Sequence, residues 1–342
     1  MADKKLGRAT FVLAQKPALL GWGNIAGKKE GDGPLGHRLD QISADSYFGE
    51  ATWEKAESVM QRRALATALE RCGLEARVLD AVFGGDLMNQ CIATSYALRG
   101  NSVPLFGVYG ACSTMAESLA LASLLVDGGF ADHTAAVASS HFCTAERQFR
   151  TPLEYGAQRT PTAQWTATAA GAVVVGREGA GPFVTHVTAG RVIDRGVTDA
   201  NNMGAAMAPA AYDTISTHLQ DTGRVPEDYD LIVTGDLGKL GSELLAELFR
   251  RDGVDLSNHN DCGLLLYDLS RQDVHCGGSG CGCCAAVLTG QLLGQVQRGE
   301  IRSLLFCATG ALHSPTALGQ GESIPGICHA VAISTSREEV SQ

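Results

Sequence analysis

The sequence has few basic residues, and they form no cluster. Its 342 residues include 27 lysines and arginines against 37 aspartates and glutamates, which gives a net charge of −10. A nucleic-acid-binding surface needs a concentrated basic patch, so nucleic acid is not expected as a partner. A basic helix that would lie on a membrane surface is missing for the same reason.

Long apolar runs are also lacking. The strongly apolar stretches, such as Leu119 to Val126, are far shorter than the roughly 18 residues that span a bilayer. The charged start, Met1 to Lys5, is not followed by the apolar core of a secretory signal, so secretion is not expected. Eleven cysteines in a chain long enough for a large core predict reduced thiols in the cytosol, not a disulfide scaffold.

The most informative stretch is a run of small residues with one thiol, Tyr109 to Thr114. A strand is predicted before it, over Pro104 to Val108, and an apolar helix after it, over Met115 to Val126. A cysteine near the first turn of a helix lies close to unpaired N–H groups, which stabilise a thiolate or bind a carboxylate. Cys112 is therefore a candidate functional residue, with a small buried residue in a tight turn as the alternative.

Strands and helices alternate along the rest of the first half. Thr52 is a predicted N-cap for a helix over Trp53 to Cys72, and Gly73 is its predicted stop. The other predicted elements are strands at Ala9–Leu13, Val78–Phe83, Thr134–Ala138 and Ala172–Val175, a helix at Leu87–Leu98 and a surface loop at Gly31–Gly36. This alternation predicts an α/β protein with a layered sheet.

The second half of the chain repeats the first. Residues between 69 and 87 recur at a constant offset of 150, where the aligned stretches read DAVFGGDL and DLIVTGDL. Further on the offset is 170, which places Cys112 opposite Gly282, inside a glycine- and cysteine-rich turn at Gly277 to Cys284. The repeat predicts an internal duplication with the two turns near a pseudo-twofold axis.

A duplicated core with a cysteine turn in the first half and a glycine-rich turn in the second resembles the thiolase fold. Ala111-Cys112-Ser113 and the stretch Ala167 to Val174 are similar to the β-ketoacyl-carrier-protein synthase III branch of that fold. The resemblance implies two duplicated αβ halves, layered α-β-α-β-α and related by a pseudo-twofold. The first, 1–180, would hold the Cys112 turn, and the second, 181–342, the glycine-rich turn and a loop with His313.

A closer similarity covers nearly the whole chain. GVYGACSTMAES, QRTPTAQWTATAAGAVVVG, GGSGCGC, TGALHSPT and GESIPGICHAV resemble the stage V sporulation protein AD family of spore-forming Firmicutes. That resemblance implies binding of pyridine-2,6-dicarboxylate (dipicolinate), or its calcium chelate, during uptake into the developing spore, with a link to germination. It implies no cofactor. It also implies peripheral attachment to the inner spore membrane through other membrane proteins of the same operon, and a possible homodimer.

Two residues that condensing enzymes need are missing. In the synthase III branch the cysteine acts with a histidine and an asparagine. Asp236 stands where the histidine is expected, and Gly278-Ser279-Gly280 stands where the asparagine turn is expected. This departure favours a non-enzymatic binding protein in which Cys112 is a vestigial nucleophile. The alternatives are an acyltransferase or condensing enzyme that uses Cys112, and a purely structural subunit of a transport complex.

The ligand is expected in a pocket between the halves. Cys112 and its turn would form the floor, where backbone N–H groups at the helix start receive one carboxylate, and His313 with the Gly310 loop would form the opposite wall. The complete set of ligand-binding residues predicted for this pocket is Cys112, Ser113, Arg150, Asp236, Gly278, Gly310 and His313.

Several further side chains have two interpretations each. Arginine forks suit carboxylates, and three arginines lie in a long loop from His141 to Thr162; local ion pairs are the alternative. Tyr109 and Trp165 are candidates to stack on a pyridine ring, or core residues. His259 is predicted to be a loop residue, not the missing base. The loop's charged candidates are His141, Arg147, Arg150 and Arg159.

The second-half turn carries four cysteines. Their spacing, C-x4-C-x-C-C over 276–284, lacks the paired C-x2-C hooks of structural zinc sites. Close packing before an apolar helix at Ala285 to Val296 is the preferred interpretation, and no metal is predicted.

Overall fold

The structure is a computed structural model that describes residues 3–150 and 158–337. Its strands are β1 (Lys5–Leu6), β2 (Thr10–Val12), β3 (Ala18–Gly27), β4 (Ile42–Ser43), β5 (Ala81–Gly85), β6 (Leu105–Gly107), β7 (His133–Ser140), β8 (Trp165–Thr166), β9 (Ala169–Gly176), β10 (Phe183–Thr188), β11 (Leu231–Thr234), β12 (His259–Asp261), β13 (Gly278–Ser279), β14 (Ser303–Ala311) and β15 (Gly326–Ser334). Its α-helices are α1 (Lys28–Gly31), α2 (Trp53–Cys72), α3 (Ile92–Leu98), α4 (Thr114–Asp127), α5 (Phe142–Phe149), α6 (Met203–Thr222), α7 (Gly238–Arg251), α8 (Cys262–Leu266), α9 (Cys281–Val287), α10 (Leu293–Gln297) and α11 (Pro315–Gly319).

The main strands form two sheets that join edge to edge. The first runs β6-β5-β7-β9-β3, and the second runs β12-β11-β14-β15-β10. Numbered along the chain within each half, both orders read 3-2-4-5-1. The junction is a pairing between β10 and β3 at Phe183 and Ala18. The identical strand orders confirm that the α/β architecture is duplicated.

Helices cover both faces of the joined sheets. α2 packs on β3, β7 and β9 of the first sheet, and α6 packs on β14 and β15 of the second. α4 lies between the sheets, where it contacts β5 and β7 on one side and β14 and β15 on the other. One apolar core surrounds α4 and α9, and a smaller core lies under each outer helix. The layers therefore follow the α-β-α-β-α order expected from the sequence.

The outer helices show the duplication residue by residue. α2 and α6 are each 20 residues long, and their first residues are 150 apart. Both end at a glycine in the left-handed region, Gly73 with φ 67° and Gly223 with φ 68°, a conformation that glycine adopts without the steric penalty of a Cβ. The predicted bounds of α2, and its cap by Thr52, which accepts from the Lys55 N–H, are confirmed.

Other predicted bounds were wrong. The strand predicted from Val78 begins at Ala81 and continues through Gly84 and Gly85. The helix predicted from Leu87 begins only at Ile92, because Gln90 and Cys91 have positive φ. The predicted loop at Gly31–Gly36 starts on the last residue of α1 and ends where a 3₁₀ turn begins.

Candidate functional site

A cleft opens above the Cys112 turn, and the empty space in it, counted together with the open solvent at its mouth, is about 730 Å³. The first half of the chain lines it with Leu87, Tyr109, Ala111, Cys112, Ala145, Glu146, Phe149, Arg150, Ala163, Gln164 and Thr166. The second half lines it with Ala200, Asn201, Met203, Ser279, Ala311 and His313.

The floor is a 3₁₀ turn, Ala111–Ser113, between β6 and α4. The Ser113 hydroxyl donates to the Gly110 carbonyl at 2.7 Å, and the Ser113 N–H donates to the same oxygen at 3.0 Å. Gly310 packs against this turn so closely that a Cβ on it would lie 2.3 Å from the Gly110 oxygen. The turn thus exposes the Cys112 side chain to the cleft, at 6% of its surface, and commits Ser113 to its own backbone.

Asp236 lies behind the floor and is fully buried. Its carboxylate accepts from the Ser279 hydroxyl at 3.1 Å, the Gly280 N–H at 2.9 Å and the Thr309 hydroxyl at 2.9 Å. Next to it at the floor are Ser279, whose Oγ lies 3.9 Å from the Cys112 Sγ, and the Cys112 thiol itself, with which the Asp236 carboxylate interacts. Asp236 therefore holds the second-half turn in place beneath the pocket.

The environment of Cys112 opposes a thiolate. Burial raises the pKa of the thiol well above its usual value, and the nearby Asp236 carboxylate raises this pKa further. A thiol that stays protonated is a poor nucleophile. Cys112 therefore occupies the position of the nucleophile, but its surroundings do not activate the thiol by lowering its pKa.

The opposite wall carries an unsatisfied histidine. His313 is only 8% exposed, and neither ring nitrogen has a hydrogen-bond partner among the described residues. Its ring leans on Phe149 with centroids 5.7 Å apart. Burial, with a smaller effect of the Arg150 charge, lowers the pKa of His313, so the imidazole is neutral at neutral pH. Buried polar atoms in native proteins usually have partners, so His313 is a candidate for contact with a ligand.

Arg150 and its neighbours form the polar side of the cleft. The Arg150 Nε lies 3.0 Å from the Glu146 Oε2, and its Nη2 donates to the Gln164 carbonyl at 3.2 Å. The Gln164 side-chain amide donates to the carbonyls of Asp236 and Gly278, at 2.6 and 2.8 Å. Gln164 Oε1, the acceptor of the same amide, has no partner in the described structure.

Glu146, Phe149 and Gln164 were missed from the sequence. No motif marks them, although Glu146, Phe149 and Arg150 have helical i, i+3, i+4 spacing, which places them on one face. Gln164 reaches the cleft only through tertiary packing, and no sequence signal points to it.

The predicted ligand-binding residues divide into two groups. Cys112, Arg150 and His313 line the cleft, whereas the other four lie behind its surface. Two placements were wrong. Gly310, expected in a loop, is within β14, and His313, expected after the last strand of the second half, lies before it, because β15 follows. The group behind the surface is Ser113, Asp236, Gly278 and Gly310.

The predicted loop from His141 to Thr162 is partly helical, because α5 covers Phe142–Phe149. Apart from Arg150, its charged candidates have partners outside the cleft. His141 caps α5, and its Nε2 lies 2.8 Å from the Ser46 carbonyl. Arg147 pairs with Glu54, and Arg159 pairs with Asp273. Residues 151–157 of that loop lie outside the described residues.

Of the two aromatic candidates for stacking on a ligand ring, one lines the cleft and the other does not. Tyr109 lines the cleft and is 44% exposed. Trp165 instead stacks on Phe142 with centroids 3.7 Å apart, and the Lys29 ammonium lies 3.6 Å from the ring centroid of Trp165. The prediction for His259 was wrong, because it belongs to β12, where its Nε2 lies 2.8 Å from the Thr234 hydroxyl.

The second-half cysteines fill space in the core. Cys281, Cys283 and Cys284 are fully buried in α9, and the Cys281 thiol donates to the Ser139 carbonyl at 2.9 Å. Within residues 3–150 and 158–337, no three histidine, cysteine or acidic side chains are placed as metal ligands. Over the same ranges no helix has the length and apolar character to cross a bilayer.

Solved condensing enzymes have the same architecture. The 3-oxoacyl-[acyl-carrier-protein] synthase III of Aquifex aeolicus VF5 aligns with a TM-score of 0.57 and 15% identity, over 93% of this chain and 99% of that one. The tetronic acid condensing enzyme AbyA1 aligns with a TM-score of 0.60 and 16% identity, over 93% and 99%. At these identities the likeness defines the fold alone, and the chain has the thiolase fold.

The sequence comparisons are more specific. Residues 7–334 match the family of stage V sporulation protein AD (SpoVAD). The Bacillus subtilis (strain 168) protein of that name is 43% identical over 329 residues, which cover 96% of this chain and 97% of that protein. The chain belongs to the stage V sporulation protein AD family, and it is a sporulation protein.

Proposed function

We propose that this protein is a non-enzymatic binding protein for dipicolinate, or for its calcium chelate, and acts in uptake of that ligand into the developing spore. The observation that carries the proposal is His313, buried in the cleft with both ring nitrogens unpartnered beside Arg150. An unpaired buried polar group costs about 1–3 kcal/mol. A ligand carboxylate that accepts from the imidazole removes this cost.

The rest of the cleft suits a flat aromatic dicarboxylate. Leu87, Tyr109 and Phe149 supply apolar and aromatic surface for a pyridine ring. Arg150 supplies a planar guanidinium at the same wall, a group that binds carboxylates with directional hydrogen bonds.

An acyltransferase is the second candidate, because Cys112 still lines the cleft. Three observations count against it: the raised pKa of its thiol, the acid at Asp236, and the Gly278-Ser279-Gly280 turn, whose one side-chain donor, the Ser279 hydroxyl, donates to Asp236. A carboxylate behind the nucleophile opposes the negative charge that develops in acyl transfer.

The family resemblance also supports a place at the inner spore membrane, held there by membrane proteins of the same operon. Co-sedimentation with vesicles that do or do not contain those proteins tests this part. Pelleting only with protein-loaded vesicles is expected, and pelleting with protein-free vesicles would contradict it.

Isothermal titration of the whole protein with dipicolinate, with and without calcium, tests the binding function. We expect saturable binding, and no response to acetyl-CoA. Arg150→Gln should weaken it by about tenfold or more, since a charge-assisted bond is lost. Arg147→Gln is the matched control on the same helix, because Arg147 pairs with Glu54 outside the cleft. If dipicolinate does not bind and mass spectrometry detects a stable acyl adduct on Cys112, the proposal is wrong and the protein is an acyltransferase.

A further inference from the structure

The charges around the cleft nearly cancel. Among the described lining residues Arg150 is the one permanent cation, and Glu146 is its ion-pair partner at 3.0 Å. Asp236 adds a buried acid behind the floor. A ligand with two carboxylates therefore meets a shortage of positive charge, and a buried charge without a counter-charge is strongly unfavourable.

His313 is the lining group that can supply the missing charge. Cys112 and Tyr109 become more negative when they titrate, and Glu146 becomes neutral at most. The imidazole of His313 gains a positive charge, and both of its nitrogens are free of other partners in the described structure. Arg150 and Phe149 of α5 face it from one side, and Phe149 already contacts the ring.

We infer that binding of free dipicolinate is coupled to proton uptake by His313, so that the dianion is held together with one added positive charge. The proton comes from solvent and bonds to the free imidazole nitrogen, and the resulting imidazolium donates to a ligand carboxylate. The calcium chelate carries its own neutralising charge and binds without this proton. This inference rests on the proposed function and adds a condition to it.

The direction of the pH dependence follows. In the free protein the pKa of His313 lies below its usual value of 6.5, through burial and the Arg150 charge. A bound dianion raises this pKa. Affinity for free dipicolinate is therefore highest below the pKa that His313 has in the unliganded protein. It falls as pH rises towards the pKa that His313 has in the complex, by at most about tenfold per pH unit for one proton. Glu146, whose pKa burial raises, is the competing proton acceptor.

Calorimetric titration in two buffers of different ionisation enthalpy measures the protons taken up. At neutral pH we expect about one proton per free dipicolinate for the natural sequence, and markedly fewer for the calcium chelate. His313→Gln should still bind the free acid, more weakly, with uptake near zero. His37→Gln, which changes an exposed histidine outside the cleft lining, should keep the natural uptake.

Three outcomes would overturn the inference. Saturable binding of the free acid without buffer dependence removes the coupling and leaves the proposed function intact. If proton uptake persists in His313→Gln but disappears in Glu146→Gln, then Glu146 and not His313 takes up the proton. Absence of binding by either ligand form removes the proposed function itself. If His313→Gln fails to fold by circular dichroism, an NMR titration of the histidine resonances in the natural sequence decides, since a His313 pKa that the ligand does not raise contradicts the proposal.

Discussion

Asp86 and Asp236 occupy the same position in the two halves, 150 residues apart, and both are buried. Asp86 accepts from the Met88 N–H and from the N–H and hydroxyl of Thr94, all within its own segment. Asp236 accepts from residues at least 43 positions away. The first-half acid closes a local turn, whereas the second-half acid ties distant segments together under the cleft.

The neighbours of these acids differ as well. Glu57 lies beside Asp86, and Met207 occupies the equivalent position at the offset of 150. In contrast, Asp80 and Asp230 do the same work in both halves. Each accepts two consecutive backbone N–H groups, from residues 132 and 133 in one half and 302 and 303 in the other. Positions that close the fold are thus alike, and positions near the cleft have diverged.

Removing the hydrogen bonds that Asp236 accepts should cause the largest loss of stability. Asp236→Ala leaves three buried donors without an acceptor, and should lower the free energy of unfolding by about 3–5 kcal/mol. Asp86→Asn should lower it by only about 1–2 kcal/mol, because the amide oxygen can still accept from Thr94 in the same segment. Urea unfolding of both variants measures the difference. Equal losses would mean that the two acids do the same structural work.

The two turns should also differ in the side chain that they tolerate. A Cβ on Gly282, the counterpart of Cys112, would lie 2.2 Å from the Ala169 carbonyl oxygen and 2.6 Å from the Ser140 Oγ. Gly282→Ala should therefore lower the free energy of unfolding by about 2–3 kcal/mol. Gly107→Ala in β6 is the control, since a Cβ there meets nothing within 4 Å. A Gly282→Ala protein as stable as the control would contradict the close packing.

Glu57 should give the first half a pH dependence that Met207 does not give the second. Burial and then Asp86 raise its pKa to about 8 in the folded protein. The folded pKa is above the unfolded one, so stability from this group is present at low pH and lost as pH rises through about 8. Relative to the natural sequence, Glu57→Gln should gain about 1.4 kcal/mol for each pH unit between the usual carboxyl pKa of 4.5 and about pH 8. Glu70→Gln, exposed on the same helix, should show no such trend.

The smallest loss of stability is expected at Asp80 and Asp230, which make equivalent hydrogen bonds in the two halves. Asp80→Ala and Asp230→Ala each remove an acceptor for two backbone N–H groups near the surface, and each should cost about 1 kcal/mol. Thermal unfolding of the two variants measures whether the losses agree. Losses that differ by more than about 1 kcal/mol would mean that the equivalent hydrogen bonds are not equivalent in strength.

The sequence predicts best where a local signal fixes the structure. Thr52 and Gly73 bound α2 correctly because a cap and a left-handed glycine act within one turn. β3, β10 and β15 were not predicted. They are almost wholly buried, so they lack the alternation that marks a strand with one exposed face, and glycines interrupt β3.

The site follows the same rule. Cys112 and His313 stand in distinctive motifs, and both line the cleft. Gln164 and the segment at 200–203 reach the cleft only because distant elements pack together. Trp165 was weighed as a ring-stacking residue, yet Phe142 and Lys29 cover it, and no local pattern reveals such partners.

The junction of β3 and β10 limits how the two halves can move relative to each other. Leu19 donates to the Pro182 carbonyl and Val184 to the Pro17 carbonyl, so the hydrogen-bonded backbone is continuous across the two halves. α4 contacts both sheets from within. A clamshell motion, in which two lobes swing apart about a hinge, would break this ladder and open the central core. Under the proposed function, a ligand would therefore reach the cleft through its mouth without a separation of the two halves.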